Sequence, residues 1–207
     1  MRRAMRRVVT FLVFCSALSA PGLADAQNLA SFGHVIGSPT APLEIVEFLD
    51  FGCDQCARFN ELAFASIHDE FIVTGKDRWR SIPFVLGAFR NSAFAAEAAE
   101  CAGEQGQYLA MHDSLLARRS DWSRFGSATE ALATIAREAG LNEARFDACV
   151  KSERMRPRVR AHKTVALSKK IYGTPTFIFP GDRRVLGAVP LAQFRDIVRA
   201  ELSNVKP

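Results

Sequence analysis

The chain has 207 residues, enough for one domain or one domain with an insertion. Its apolar fraction of 48% is that of an ordinary globular protein, with no low-complexity tract and no internal repeat. The formal charge of +5 makes no case for nucleic-acid or membrane binding, because most of it belongs to the first 26 residues.

Those 26 residues read as a secretory signal peptide. Arg2, Arg3, Arg6 and Arg7 form a basic start, Val8 to Ala20 an apolar run, and Ala24-Asp25-Ala26 a small-x-small cleavage signal. The apolar run is too short to span a bilayer, which argues against a permanent anchor. Phe14, before Cys15, is too bulky for a lipoprotein processing site. The paired arginines hint at twin-arginine export, but a thiol protein needs no cofactor loaded in the cytoplasm. Cleavage after Ala26 removes four Arg and one Asp, so the mature charge falls to +2. It leaves Cys53, Cys56, Cys101 and Cys149, an even number that suggests disulfides in an exported chain. Of the three pairings open to four cysteines, Cys53–Cys56 with Cys101–Cys149 is the simplest.

Residues 27–42 form a polar lead-in broken by glycine and proline, with His34 as a surface histidine. Leu43 to Leu49 is a buried central strand, in which the carboxylate of Glu47 is costly unless it has a task. Asp50-Phe51-Gly52 turns into a helix from Ala57 to Phe71, stopped by Gly75, with His68 on its solvated side. Trp79 to Phe84 is a second strand, and the spacing makes a right-handed βαβ unit. Helices then follow: Ser92 to Leu116 with breaks at Gly103 and Gly106, Ser127 to Ala139, a short helix capped by Asn142, and Met155 to Tyr172. Arg118, Arg119, Arg158, Arg160, Lys163, Lys169 and Lys170 read as solvated faces of this block. Thr176 to Phe179 and Val185-Leu186 are strands joined by the turn Pro180-Gly181-Asp182. Pro190 opens a last amphipathic helix. The economical assembly is one four-stranded mixed sheet with the helical block inserted between its halves.

Cys53-Asp54-Gln55-Cys56 carries the chemistry. Two cysteines three apart at a helix start are close enough for a small disulfide ring. The unpaired N–H groups and positive dipole end of the first turn favour a thiolate there. A metal site or a structural crosslink are the other readings of the pair alone. Only His34, His68, His112 and His162 are available as further ligands, and none has ligand spacing to the pair. Met111-His112 reads as helix packing.

The layout resembles the thioredoxin fold and, within it, the DsbA-like thiol:disulfide oxidoreductases. The matching pieces are Ala41-Pro42-Leu43-Glu44-Ile45-Val46-Glu47-Phe48 leading into Cys53-Asp54-Gln55-Cys56, the inserted helices, and Gly173-Thr174-Pro175-Thr176-Phe177. The resemblance implies an α/β thioredoxin-like domain over 27–88 and 158–207, with a helical domain inserted at 89–157. It implies that Cys53 is the exposed nucleophile and Cys56 the buried resolving thiol. Glu47 matches the buried acid beneath the second cysteine. Pro175 matches a proline held cis beside the disulfide, and Thr174 would offer backbone groups to a bound substrate chain. Cys101–Cys149 would be a structural disulfide; the alternatives are a second redox pair or two free buried thiols. Asp54-Gln55 stands where strong oxidants of the family often carry Pro-His. A negative charge at Asp54 disfavours the thiolate, so the pKa of Cys53 is expected to be less depressed.

The implied function is disulfide exchange with unfolded or partly folded exported proteins, in the periplasm of a Gram-negative bacterium. Oxidation is the expected direction, with a membrane partner that reoxidises the pair. The resemblance implies no cofactor, no resident metal and no nucleic acid. The alternatives are a thiol reductase of the same fold and a non-enzymatic copper binder. Only about 16 residues separate Ala26 from the first strand, too few for a dimerisation segment, so a monomer is expected.

Overall fold

The structure is a computed structural model and describes residues 29–124 and 128–205. The expected signal peptide lies outside the described residues. Among the described residues no helix is long and apolar enough to cross a membrane.

Five strands form one mixed sheet: β1 (His34–Ile36), β2 (Leu43–Leu49), β3 (Asp77–Pro83), β4 (Thr176–Phe179) and β5 (Arg183–Leu186). Their order is β1-β3-β2-β4-β5. β2 and β3 run parallel, with Ile45 opposite Trp79, and every other pairing is antiparallel. The four expected strands are present, and β1 is a correction to the expected count. The lead-in was too polar for a core element, but β1 is an edge strand and leaves Val35 45% exposed. Gly33, at φ +69°, lets the chain turn in against β3; a Cβ there would collide with the Ser81 carbonyl oxygen.

β2 is apolar because it is covered on both faces. Alternation puts Leu43, Ile45 and Glu47 on one face and Val46 and Phe48 on the other. The first face is covered by α1, a continuous helix over residues 54–72, and by α8 (Leu191–Asn204). α1 starts three residues before the expected Ala57 and winds with wider π-type turns at Asn60–Phe64 and His68–Ile72. Phe59, Phe64, Trp79, Phe177 and Phe194 pack together under it, and each such side chain contributes about 1.5–3 kcal/mol by leaving water.

Between β3 and β4 lie α2 (Ser92–Gly103), α3 (Tyr108–Ala117), α4 (Arg119–Trp122), α5 (Thr129–Glu138), α6 (Glu143–Lys151) and α7 (Arg156–Ser168). The Asn142 side chain accepts from the Arg145 N–H at 3.0 Å and so caps α6. Small alanines on α2 let Met111, Leu115, Trp122, Leu132, Ile135 and Phe146 close around it. α7 covers the second sheet face, where Val165 and Ala166 meet Val46, Phe48, Ile82 and Ile178. The basic residues expected to be solvated are only partly so. Arg118 pairs with Asp121 and Glu138, Arg119 with Asp54, and Arg158 with Glu100.

Candidate active site

The central strand ends at Leu49 and the chain turns at Asp50. The Asp50 carboxylate accepts from the Gly52 N–H at 2.9 Å and the Leu86 N–H at 2.8 Å, which fixes the turn against the loop after β3. Cys53 is then the residue at which α1 starts. Its own backbone is extended, with φ −79° and ψ 125°, and its carbonyl accepts from the Ala57 N–H at 3.1 Å. Its sulfur therefore faces the open N–H groups of the first turn.

The Thr174–Pro175 peptide bond is cis, and the loop it shapes lies beside the cysteines. The Cys53 thiol donates to the Thr174 carbonyl at 3.3 Å. The Thr174 hydroxyl is buried and has no hydrogen-bond partner among the described residues. Cys53 and Cys56 are unbonded thiols, whereas Cys101 and Cys149 are joined in a disulfide between α2 and α6.

The two thiols are electrostatically unequal. A hydrogen bond from Cys56 pulls the pKa of Cys53 from 9.0 down to about 6 against the opposing effect of burial, helped by the Thr174 side chain and the N–H groups of Cys56 and Gln55. Cys56 is pushed the other way, by burial first, then by its hydrogen bond to Cys53 and by the charges of Cys53 and Glu47. Asp54 is not an isolated charge beside Cys53. Arg119 pairs with the Asp54 carboxylate and also donates to the Gly52 carbonyl at 3.2 Å. The Gln55 side chain is exposed, and only its backbone N–H bears on Cys53.

Glu47 lies buried on the α1 face of β2, 3% exposed. The Trp79 indole N–H donates to it at 3.0 Å. Burial raises its pKa, opposed by His112 and by that hydrogen bond. The structure thus brings together Cys53, Cys56, Glu47, Asp54, Thr174 and Pro175, and leaves Cys101–Cys149 in the helical block.

Two residues of this neighbourhood were missed, and a third, away from it, was misread. Arg119 was read as a solvated charge. His112, read as packing, is buried with Nε2 4.0 Å from Glu47. His34 is no bland surface residue: it bonds the buried Glu100 at 2.9 Å and stacks on Tyr108. The adjacent pair His112-Asp113 on an otherwise apolar helix was the one available signal; nothing local marks Arg119 or His34.

The chain is similar to known proteins over most of its length. A Rickettsia typhi protein, provisionally named a protein-disulfide oxidoreductase, is 24% identical over 148 residues, which is 71% of this chain and 54% of that protein. The chain thus spans about half the length of the curated relatives it matches. The alpha-DsbA1 structure from Wolbachia pipientis superposes with a TM-score of 0.73 at 21% identity, covering 83% of this chain and 91% of that one. A thioredoxin-like oxidoreductase from Silicibacter pomeroyi gives a TM-score of 0.66 at 26% identity, covering 85% and 95%. The DsbA-type sheet with its inserted helices is therefore the fold of this protein. Residues 30–200 match the family Thioredoxin_4, described as thioredoxin, and the chain belongs to that family in its DsbA-like form.

Proposed function

We propose that the protein is an exported thiol:disulfide oxidoreductase that oxidises client proteins through Cys53 and Cys56. The observation that carries this is the split between the two thiols, one held down at about 6 and one pushed up. A stabilised Cys53 thiolate favours the reduced protein, and that makes the Cys53–Cys56 disulfide a ready acceptor of electrons.

In the oxidising direction a client thiolate attacks Cys53 Sγ of the disulfide. A mixed disulfide forms and Cys56 leaves as a thiolate, which takes a proton from Glu47. A second client thiolate then attacks the client sulfur of the mixed disulfide. The client leaves with its own disulfide and Cys53 leaves as the stabilised thiolate. Two electrons pass from client to protein, and a membrane partner takes them on. Thr174 and Pro175 lie where the client chain would pair. A groove of about 260 Å³ beside them, lined by Tyr172, Pro175, Arg184 and Leu186, suits an extended, partly unfolded client.

The signal peptide supports export, with the periplasm of a Gram-negative bacterium as the compartment. The reductase reading uses the same residues in reverse. A copper-binding role draws no support from the donor set: among the described residues no three His, Cys, Asp or Glu side chains group to hold a metal. Equilibration of the Cys53–Cys56 pair with glutathione buffers tests the direction. A potential well above that of thioredoxin is expected; a value equal to it would assign the protein as a reductase.

A further inference from the structure

His112 is 1% exposed, yet the exchange chemistry above gives it no task. α3 holds its ring against Phe51, Phe64 and Tyr108, with centroids 5.8, 5.6 and 5.9 Å away. Nδ1 lies 2.8 Å from the Asp113 carboxylate. Nε2 faces the Glu47 carboxylate at 4.0 Å and has no hydrogen-bond partner. Leaving a buried polar nitrogen unpaired is costly. An apolar ring would fill the same aromatic cage without that cost, so packing does not account for a histidine.

The two ends of the ring look onto different surroundings. Nε2 looks onto Glu47, which is buried. Nδ1 looks onto Asp113, whose side chain is 47% exposed. Asp113 lines a surface groove of about 240 Å³ together with Asn60, His68 and Asp69. His112 therefore spans the distance between a buried carboxylate and one in contact with water. The tautomer fits a conduit. Asp113 accepts, so Nδ1 carries the proton and Nε2 presents a lone pair to Glu47.

We infer that His112 and Asp113 form a proton path that connects Glu47, and through it Cys56, to solvent. The inference rests on the exchange reading given above. When Cys56 attacks a mixed disulfide at Cys53, its S–H proton passes to the Glu47 carboxylate. Glu47 hands that proton to Nε2, across a gap that a small side-chain rotation closes. The imidazole releases its Nδ1 proton to Asp113, which loses it to water. When Cys56 is the leaving thiolate the same chain runs inward. The electrons move only among the sulfur atoms. The ionisable groups that face His112 are Glu47 from β2 and Asp113 and Tyr108 from its own helix. The Tyr108 hydroxyl is bonded to Ser81 at 2.9 Å and burial pushes its pKa further up, so it stays neutral. His112 and Asp113 are positioning residues: they act through Glu47 and touch no sulfur.

Stopped-flow reaction of the reduced full chain with an aromatic disulfide separates the steps. Cys53 releases the first aromatic thiolate. Cys56 releases the second as the protein ring closes, and only this phase needs the Cys56 proton to leave. His112→Gln and Asp113→Asn are expected to slow the second phase roughly tenfold near neutral pH and leave the first unchanged. Asp113→Glu, which keeps a carboxylate, is expected to restore it. Asp113 is half exposed, so its variants read the path without disturbing the core. If the unsubstituted protein releases no second thiolate, the exchange reading fails and the relay falls with it. If it does, the relay alone is overturned by any of three results: an unchanged second phase in Asp113→Asn, equal slowing of both phases, or Asp113→Glu as slow as Asp113→Asn.

Discussion

Between the two cysteines stands one negative charge, on Asp54, and Arg119 is paired with it. The pair is partly solvated, so its own contribution to stability is small. Its bearing on Cys53 is larger, because an unpaired carboxylate on the next residue disfavours the thiolate. The same guanidinium also holds the Gly52 carbonyl at the turn that presents Cys53. Arg119→Ala is therefore expected to raise the Cys53 pKa from about 6 by about one unit. A less stable thiolate makes the disulfide a weaker oxidant, so the potential should fall with it. Thiolate absorbance of the reduced protein against pH reads the first change, and an unmoved titration curve would show that Arg119 does not tune the site. This compensation was illegible in the chain: 65 positions separate the two partners, and only the fold of the helical block brings α4 to the start of α1.

At the scale of elements, local signals held where one segment decides its own state. β2 and β4 have the bounds that their apolar runs predict, Asn142 caps α6, and Gly75 and Gly140, at φ +72° and +79°, stop the helices before them. β1 escaped because an edge strand needs neither apolar residues nor length; its pairing to β3 defines it. The start of α1 escaped because Asp54 and Gln55 carry no apolar periodicity. The Cys101–Cys149 crosslink belongs to this scale. It ties α2 to α6 across 48 residues of sequence, and such a loop contributes about 3–4 kcal/mol by restricting the unfolded chain. Replacing both cysteines with alanine is expected to lower the unfolding free energy by that amount. The rate at which Cys53 reacts with a small disulfide should stay the same, since the crosslink lies outside the Cys53 site. Denaturant unfolding and thiol kinetics on the same variant check both halves; a slowed Cys53 would mean that the crosslink holds the active turn.

At the scale of the molecule, the inserted helices are joined to the sheet by a buried polar knot as well as by apolar packing. Glu100 on α2 accepts from His34 on β1 at 2.9 Å and from Arg158 on α7 at 2.6 Å. His162 on α7 is fully buried, with Nδ1 3.7 Å from Glu100 and Nε2 accepting from the Gly33 N–H at 3.3 Å. Burial raises the pKa of Glu100, but the bond and charge of His34 and the charges of His162 and Arg158 outweigh it and bring the group below its ordinary value. His162 is lowered from 6.5 to about 4, chiefly by burial. The signs agree. Below 6.5 the unfolded chain binds a proton at His162 that the folded chain refuses until about pH 4, so folding loses stability as pH falls through that window. Glu100 adds a loss at lower pH, where the unfolded chain takes a proton that the folded Glu100 resists. The His162 part amounts to about 3 kcal/mol when fully developed. His162→Gln keeps an acceptor for Gly33 and removes the titration. Its stability relative to the unsubstituted protein should therefore rise as pH drops from 6.5 towards 4, by up to that amount. Urea unfolding of both proteins across the window decides it: parallel pH profiles would remove His162 as the acid-sensitive point of the junction between sheet and helices.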